Sequence, residues 1–154
     1  MHSIDGLRMM TQQSENGHHP TNTPFDPCAR VSVLLVDDEE AIAELAQRML
    51  EFMGYDVTAF TEGNYALKSY LAFPKKYDVV ILDQSMPGRS GSEIASEILK
   101  IRPDMPIILM SGFYDQDLAA AAEYNGFSGF IAKPFVASEL GQSICAALDA
   151  KRRV

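Results

Sequence analysis

The sequence predicts an α/β protein built on a doubly wound parallel sheet, and three observations carry that expectation. Its apolar runs are short and continuous, as in strands covered on both faces, rather than alternating as in a half-exposed sheet; VSVLLV at Val31 to Val36 and VVIL at Val79 to Leu82 are the clearest. Segments with apolar residues at helical spacing stand between the runs and close on Gly or Pro. Five strands thereby alternate with five helices, and the right-handed crossover rule places such helices on both faces of one sheet.

Each element has its own signal. Met1 to Arg30 is rich in Gln, Ser, Asn, Thr, His and Pro and has no sustained period, which reads as a flexible extension or linker. His18 and His19, adjacent and without a partner carboxylate or thiol, do not make a metal site there. The strand Val31 to Val36 runs directly into Asp37-Asp38-Glu39-Glu40. Behind these acids Ile42, Leu45, Met49, Phe52 and Met53 repeat at helical spacing, and Gly54 supplies a left-handed end. Tyr55 to Phe60 is the next strand, and Gly63 to Ala72 a helix with Ala66, Leu67, Tyr70 and Leu71 on one side, ended by Pro74. The run from Val79 closes on Asp83. A helix from Ser90 to Ile101 follows, with Ile94, Ile98 and Ile101 inward, and Pro103 and Pro106 end it. Ile107 to Met110 is a strand ending in Ser111-Gly112, and Asp115 to Asn125 an alanine-rich helix stopped by Gly126. Gly129 to Ala132 is the fifth strand, ending at Lys133-Pro134. Val136 to Ala150 forms the last helix with Leu140, Ile144 and Leu148 inward, and Lys151 to Val154 is a solvated tail.

Composition limits the function. With 154 residues, 47% of them hydrophobic, the chain suits one domain with a real core. A net charge of -8 argues against binding nucleic acid by phosphate neutralisation and favours protein or cation partners. No apolar run approaches a membrane span, and the N-terminus lacks the basic and apolar regions of a signal peptide, so the expected location is the cytoplasm. Cys28 and Cys145 are isolated and read as reduced thiols.

The chemistry gathers at strand ends. In open α/β sheets ligands bind outside the carboxyl ends of the strands, and there the sequence puts Asp37 and Asp38, Asp83, Ser111 and Lys133. Asp83 alone reads equally as a turn-capping acid. Four successive acids after the first strand exceed what helix capping needs, since like charges about 4 Å apart cost roughly 4 kcal/mol at an effective dielectric of 20 unless a cation relieves them. Three carboxylates in one pocket make a hard oxygen site suited to Mg²⁺, and Lys133 with Ser111 offers a charge and a hydroxyl to phosphoryl oxygens. Together they point to phosphoryl transfer to a carboxylate, with Asp83 as nucleophile. Taken singly, Ser111 also reads as a turn residue, Lys133 as a surface charge and Phe130 as plain core.

VLLVDDEE, VVILDQSMPGRSG, ILMSG and FIAKPF resemble the signature segments of the response-regulator receiver domain, over Val31 to about Ala150. The resemblance implies a flavodoxin-like sheet of order 2-1-3-4-5 and a cis Lys133–Pro134 bond. It makes Asp83 the phosphoacceptor, and it assigns Mg²⁺ to Asp37, Asp38, Asp83 and the backbone carbonyl of Ser85. It makes Ser111 the switch hydroxyl, Lys133 the phosphate partner and Phe130 the switch aromatic. The implied function is a phosphorylation-switched receiver in a two-component phosphorelay, with no enzyme activity beyond self-catalysed phosphotransfer and autodephosphorylation. Its partners would be a histidine kinase or a histidine phosphotransfer domain. The surface of the fourth helix, fifth strand and fifth helix would change on phosphorylation and could pair two copies. Neither nucleic acid nor a membrane segment is expected. Gln84, where the family often has an apolar residue, and Arg89 with Ser90 depart from the pattern. Phe113, two after Ser111, would flank the route of hydrolytic water. A phosphatase with an aspartyl nucleophile is the rival reading, but such enzymes usually carry an acid two residues on, where this chain has Ser85. A receiver-like binding module without phosphorylation is the third. The context expected is a stand-alone receiver or, on the linker-like start, one cut from a hybrid histidine kinase.

Overall fold

Among the described residues five strands lie side by side in one parallel sheet, the three central ones apolar and almost wholly buried. The computed structural model describes residues 30–112 and 126–153. Within them the chain forms β1 (Ser32–Val36), α1 (Glu40–Phe52), β2 (Asp56–Phe60), α2 (Gly63–Ala72) and β3 (Val79–Asp83), then α3 (Gly91–Ile101), β4 (Ile107–Ser111), β5 (Gly129–Ala132) and α4 (Ala137–Arg153). The strand order is β2-β1-β3-β4-β5 with every pair parallel, as the resemblance implied.

Strand alternation divides the core into two layers. Leu34, Val36, Val80, Leu82, Ile107 and Leu109 pack with residues of α2 and α3, among them Tyr70, Ile94 and Ile98. Their neighbours Val33, Leu35, Val79, Ile81, Ile108 and Met110 pack against Ala46 and Leu50 of α1 and Leu140 and Ile144 of α4. β3 and β4 are buried along their whole length, which is why their sequences are continuous rather than alternating. Burying each such side chain contributes about 1.5–3 kcal/mol.

Local signals fix the helix ends. Gly54, one residue past the Met53 that caps α1, has φ 99°, a conformation that L side chains rarely adopt. Ser90 caps α3 by accepting a hydrogen bond from the Glu93 N–H at 3.2 Å, and the Glu62 carboxylate caps α2 by accepting from the Asn64 N–H at 3.2 Å.

Among the described residues there are four helices; the fifth expected, over Asp115 to Asn125, lies outside them, as do Phe113, His18, His19, Cys28 and nearly all of the N-terminal extension. Three expectations are corrected. α1 turns Ala43, Ala46 and Leu50 inward and leaves Leu45 46% and Phe52 93% exposed. Small alanines let the helix approach the sheet closely; Ile42 and Met49 pack beside them against the core, while Leu45 and Phe52 fall on the outer side. Leu71 and Ile101, expected inward, lie about half exposed at the last residues of their helices, where the turn leaves the sheet. The last helix continues past Ala150 to Arg153, and Lys151 reaches Asp104 at 3.5 Å instead of lying in a solvated tail. No helix among the described residues is long and apolar enough to cross a membrane.

Candidate functional site

The strand register brings two acids together. Val36 pairs with Leu82 across β1 and β3, so Asp37 and Asp83 follow at adjacent strand ends, at the point where the chain order of the sheet reverses. Both continue the alternation of residues that face α1 and α4. They are buried, at 0% and 2% exposure. Carboxylates are almost never so buried unless paired.

The pairing cation is Lys133. Its Nζ lies 2.7 Å from Asp37 Oδ2, 3.2 Å from Asp83 Oδ1 and 3.7 Å from Glu39 Oε1. β5 is separated from β3 by β4, so the lysine spans a strand to reach these acids. The peptide bond after it, Lys133–Pro134, is cis. Burial acts against the ammonium, but the bonds and charges of Asp37 and Asp83 outweigh it, and the Lys133 pKa lies above its ordinary value.

Asp38 completes a cluster of three carboxylates. One oxygen from each of Asp37, Asp38 and Asp83 lies within 4.8 Å of the other two, Asp38 being the most exposed of the set. Asp37 Oδ1 accepts a hydrogen bond from the Glu39 N–H at 2.9 Å. Its Oδ2 is buried and receives no well-directed hydrogen bond; its close neighbour is the Lys133 ammonium, whose contact is ionic rather than directional. Three acids against one lysine leave the pocket short of positive charge. Burial first, and the Asp37 charge second, push the Asp83 pKa up to about 6, with Lys133 acting in the opposite direction. Hard oxygen donors and a deficit of positive charge together fit a divalent cation of the Mg²⁺ kind.

The remaining expected residues have definite places. Ser111 ends β4, is buried at 3% exposure and stands in register with Ala132, and its carbonyl accepts from the Lys133 N–H at 2.8 Å. Phe130 pairs with Leu109 across β4 and β5 and packs, partly buried, against the α2–α3 layer. Ser85 is exposed in the loop between β3 and α3, two residues past Asp83.

Two neighbours of Asp83 escaped the sequence reading in the roles they take. A Cβ on Gly91 would stand 2.4 Å from the Asp83 carbonyl oxygen, so α3 starts directly against the backbone of the acid. Gln84, expected only as an oddity of the rim, binds Ser92 through both ends of its side-chain amide. The available signal was the Gly placed one residue after a helix-capping Ser. It reads as ordinary loop chemistry until the strand end is known to lie beneath it.

The chain has well-defined relatives. A family model for the response regulator receiver domain matches residues 33–145. The C4-dicarboxylate transport transcriptional regulatory protein DctD of Rhizobium meliloti (strain 1021) is 37% identical over 126 residues, which is 82% of this chain and 27% of DctD. The chain therefore spans about a quarter of that relative's length. A response regulator receiver domain protein from Clostridium thermocellum is similar in structure with a TM-score of 0.75 and 33% identity, over 79% of this chain and 97% of that one. The response regulator protein TrrA of Thermotoga maritima, solved in complex with Mg²⁺-BeF, has a TM-score of 0.68 and 34% identity, over 77% of this chain and 99% of TrrA.

Proposed function

We propose a function from one premise: the chain belongs to the response regulator receiver domain family of two-component signalling. Within it, Asp83 accepts a phosphoryl group from a phosphohistidine on a histidine kinase or a histidine phosphotransfer domain. An Asp83 carboxylate oxygen forms the new O–P bond as the N–P bond to the donor imidazole breaks, and the imidazole leaves with the bonding pair. The single observation that carries this reading is the grouping of Asp83, Asp37 and Asp38 at the switch point of the sheet, with Lys133 against Asp37 and Asp83.

Asp37, Asp38, Asp83 and the backbone carbonyl of Ser85 would hold Mg²⁺, which supplies charge neutralisation to the phosphoryl oxygens when bound. Lys133 offers its ammonium to one phosphoryl oxygen, and Ser111 its hydroxyl to another. The modified Asp83 carries more negative charge and more acceptor oxygens than a carboxylate, so it draws Ser111 and Lys133 toward it. β4 and β5 carry these two residues and Phe130 with them, and the surface of β5, α4 and the preceding segment changes its affinity for a partner or a second copy. Water later cleaves the acyl phosphate, returning Asp83 and inorganic phosphate. The domain is thus a phosphoacceptor with self-catalysed phosphotransfer and autodephosphorylation, working in the cytoplasm, rather than an enzyme acting on a separate substrate pool. As domain limits we take residues 31–150 for the receiver, preceded by an extension or linker. Its place beside an output domain, or within a hybrid kinase, belongs to the same proposal.

Incubation with Mg²⁺ and a small phosphodonor should raise the mass of the intact protein by one phosphoryl group. Asp83→Asn should show no gain. An equal gain in the variant, or none in the wild type, would overturn the proposal.

A further inference from the structure

We propose that Gln84 is a positioning residue that sets the metal-binding loop by clamping the start of α3 to the end of β3. The inference rests on the reading of Asp83 as phosphoacceptor and Ser85 as metal ligand. Gln84 makes hydrogen bonds in three directions. Its backbone N–H donates to the Met110 carbonyl at 2.7 Å, and its carbonyl accepts from the Gly91 N–H at 3.0 Å. Its side-chain Nε2 donates to Ser92 Oγ at 2.9 Å, while its Oε1 accepts from the Ser92 N–H at 2.9 Å. One residue thereby ties together β3, the penultimate residue of β4 and the first turn of α3.

The consequence falls on the loop between them. Residues 85–90 leave from Gln84 and return to it, because the Gly91 and Ser92 N–H groups are both bonded to Gln84. Ser85 is the first residue beyond this tie, so any rotation of the Gln84 peptide carries the Ser85 carbonyl with it. The Ser92 N–H is one of the orphan donors of a helix start, and Gln84 satisfies it with an oxygen that an apolar residue could not supply. An apolar side chain at position 84 fills similar space but leaves the loop held by backbone bonds alone. The missing Cβ of Gly91, which lets the helix start rest on the Asp83 carbonyl, keeps the lever short. Gln84 and Ser92 therefore act as one unit whose effect reaches the metal through Ser85.

Titration calorimetry with Mg²⁺ alone on the full chain tests this, at a temperature where circular dichroism shows each variant folded. Gln84→Met should weaken Mg²⁺ binding by about three- to tenfold, the scale of one or two net hydrogen bonds. Ser92→Ala should cost less, since its N–H still reaches Oε1, and adding it to Gln84→Met should cost nothing more. An unchanged affinity in Gln84→Met, or full additivity in the double variant, overturns the clamp. If Gln84→Met fails to fold, Ser92→Ala decides: a partial loss of affinity supports the clamp and none overturns it. Absence of Mg²⁺ binding by the wild type would instead overturn the underlying site reading, and the clamp's function with it.

Discussion

Asp83 is held in a state that costs the protein stability. Its pKa of about 6 in the folded chain lies above the ordinary 3.8, so the native state binds the proton more tightly than the unfolded chain does. The stabilisation from that proton is present below about pH 4 and is lost as pH rises through about 6, a change of about 3 kcal/mol for two pKa units. In metal-free solution Asp83→Asn should therefore melt higher than the wild type at neutral pH, with the gap closing toward about pH 4. Mg²⁺ should narrow the gap at neutral pH by stabilising only the wild type well. Thermal melts with and without chelator, across pH, decide this; a variant that melts lower at every pH would refute it. Lys133 gives the opposite sign. Lys133→Met leaves two buried carboxylates uncompensated, which should cost about 3–5 kcal/mol without metal, yet Mg²⁺ should bind more tightly because its competing cation is gone. Denaturant unfolding and calorimetry on the same variant measure both effects. The residue types of this site were legible as a set, since each acid or base closes an apolar run. The reach of Lys133 across β4 was not, because nothing in FIAKPF says how far its side chain extends.

At the level of elements, two unlike glycine constraints act, one where α3 starts against the end of β3 and one between α1 and β2. Gly91→Ala would put a methyl 2.4 Å from the Asp83 carbonyl, a backbone group that cannot swing aside, and about 2–3 kcal/mol of stability should be lost. Mg²⁺ affinity should fall too, because relieving the clash moves Asp83 itself. Gly54 is the control. An added Cβ meets nothing there, but the φ of 99° is unfavourable for alanine, so Gly54→Ala should cost about 1–2 kcal/mol and leave Mg²⁺ affinity unchanged. Unfolding curves and metal titrations on both variants separate the two mechanisms; equal Mg²⁺ affinities would show that α3 does not brace the acid. The central strands were legible because burial on both faces leaves an uninterrupted apolar run. The stripe read on α1 held in part: Ile42, Met49 and Met53 pack against the core, whereas Leu45 and Phe52 are exposed and Ala43, Ala46 and Leu50 are the residues buried fully against the sheet. Leu71 and Ile101 were misread because the last residues of a helix follow its period after the sheet beneath has ended.

The whole molecule places its acid cluster at the topological switch point, between β1 and β3, and Lys133 reaches it from the far half of the sheet. Alternation alone yields helices on both faces of a sheet, but not its strand order; the order came from the family resemblance and the register agrees with it. Two-sided packing then explains why acids can stand in so dry a position: the strands that carry Asp37 and Asp83 are central and fixed, with helices over both faces. Such a scaffold suits a receiver, because small shifts at β4 and β5 reach an edge of the sheet rather than being lost in its interior. The central claim is that Asp83, within this cluster, takes up the phosphoryl group. The most direct test is to phosphorylate the full chain with a small donor in Mg²⁺, trap the acyl phosphate by borohydride reduction and locate the modified residue by peptide mass spectrometry. Modification confined to Asp83 and abolished by chelator is the predicted result; modification at another residue, or modification indifferent to Mg²⁺, would contradict it.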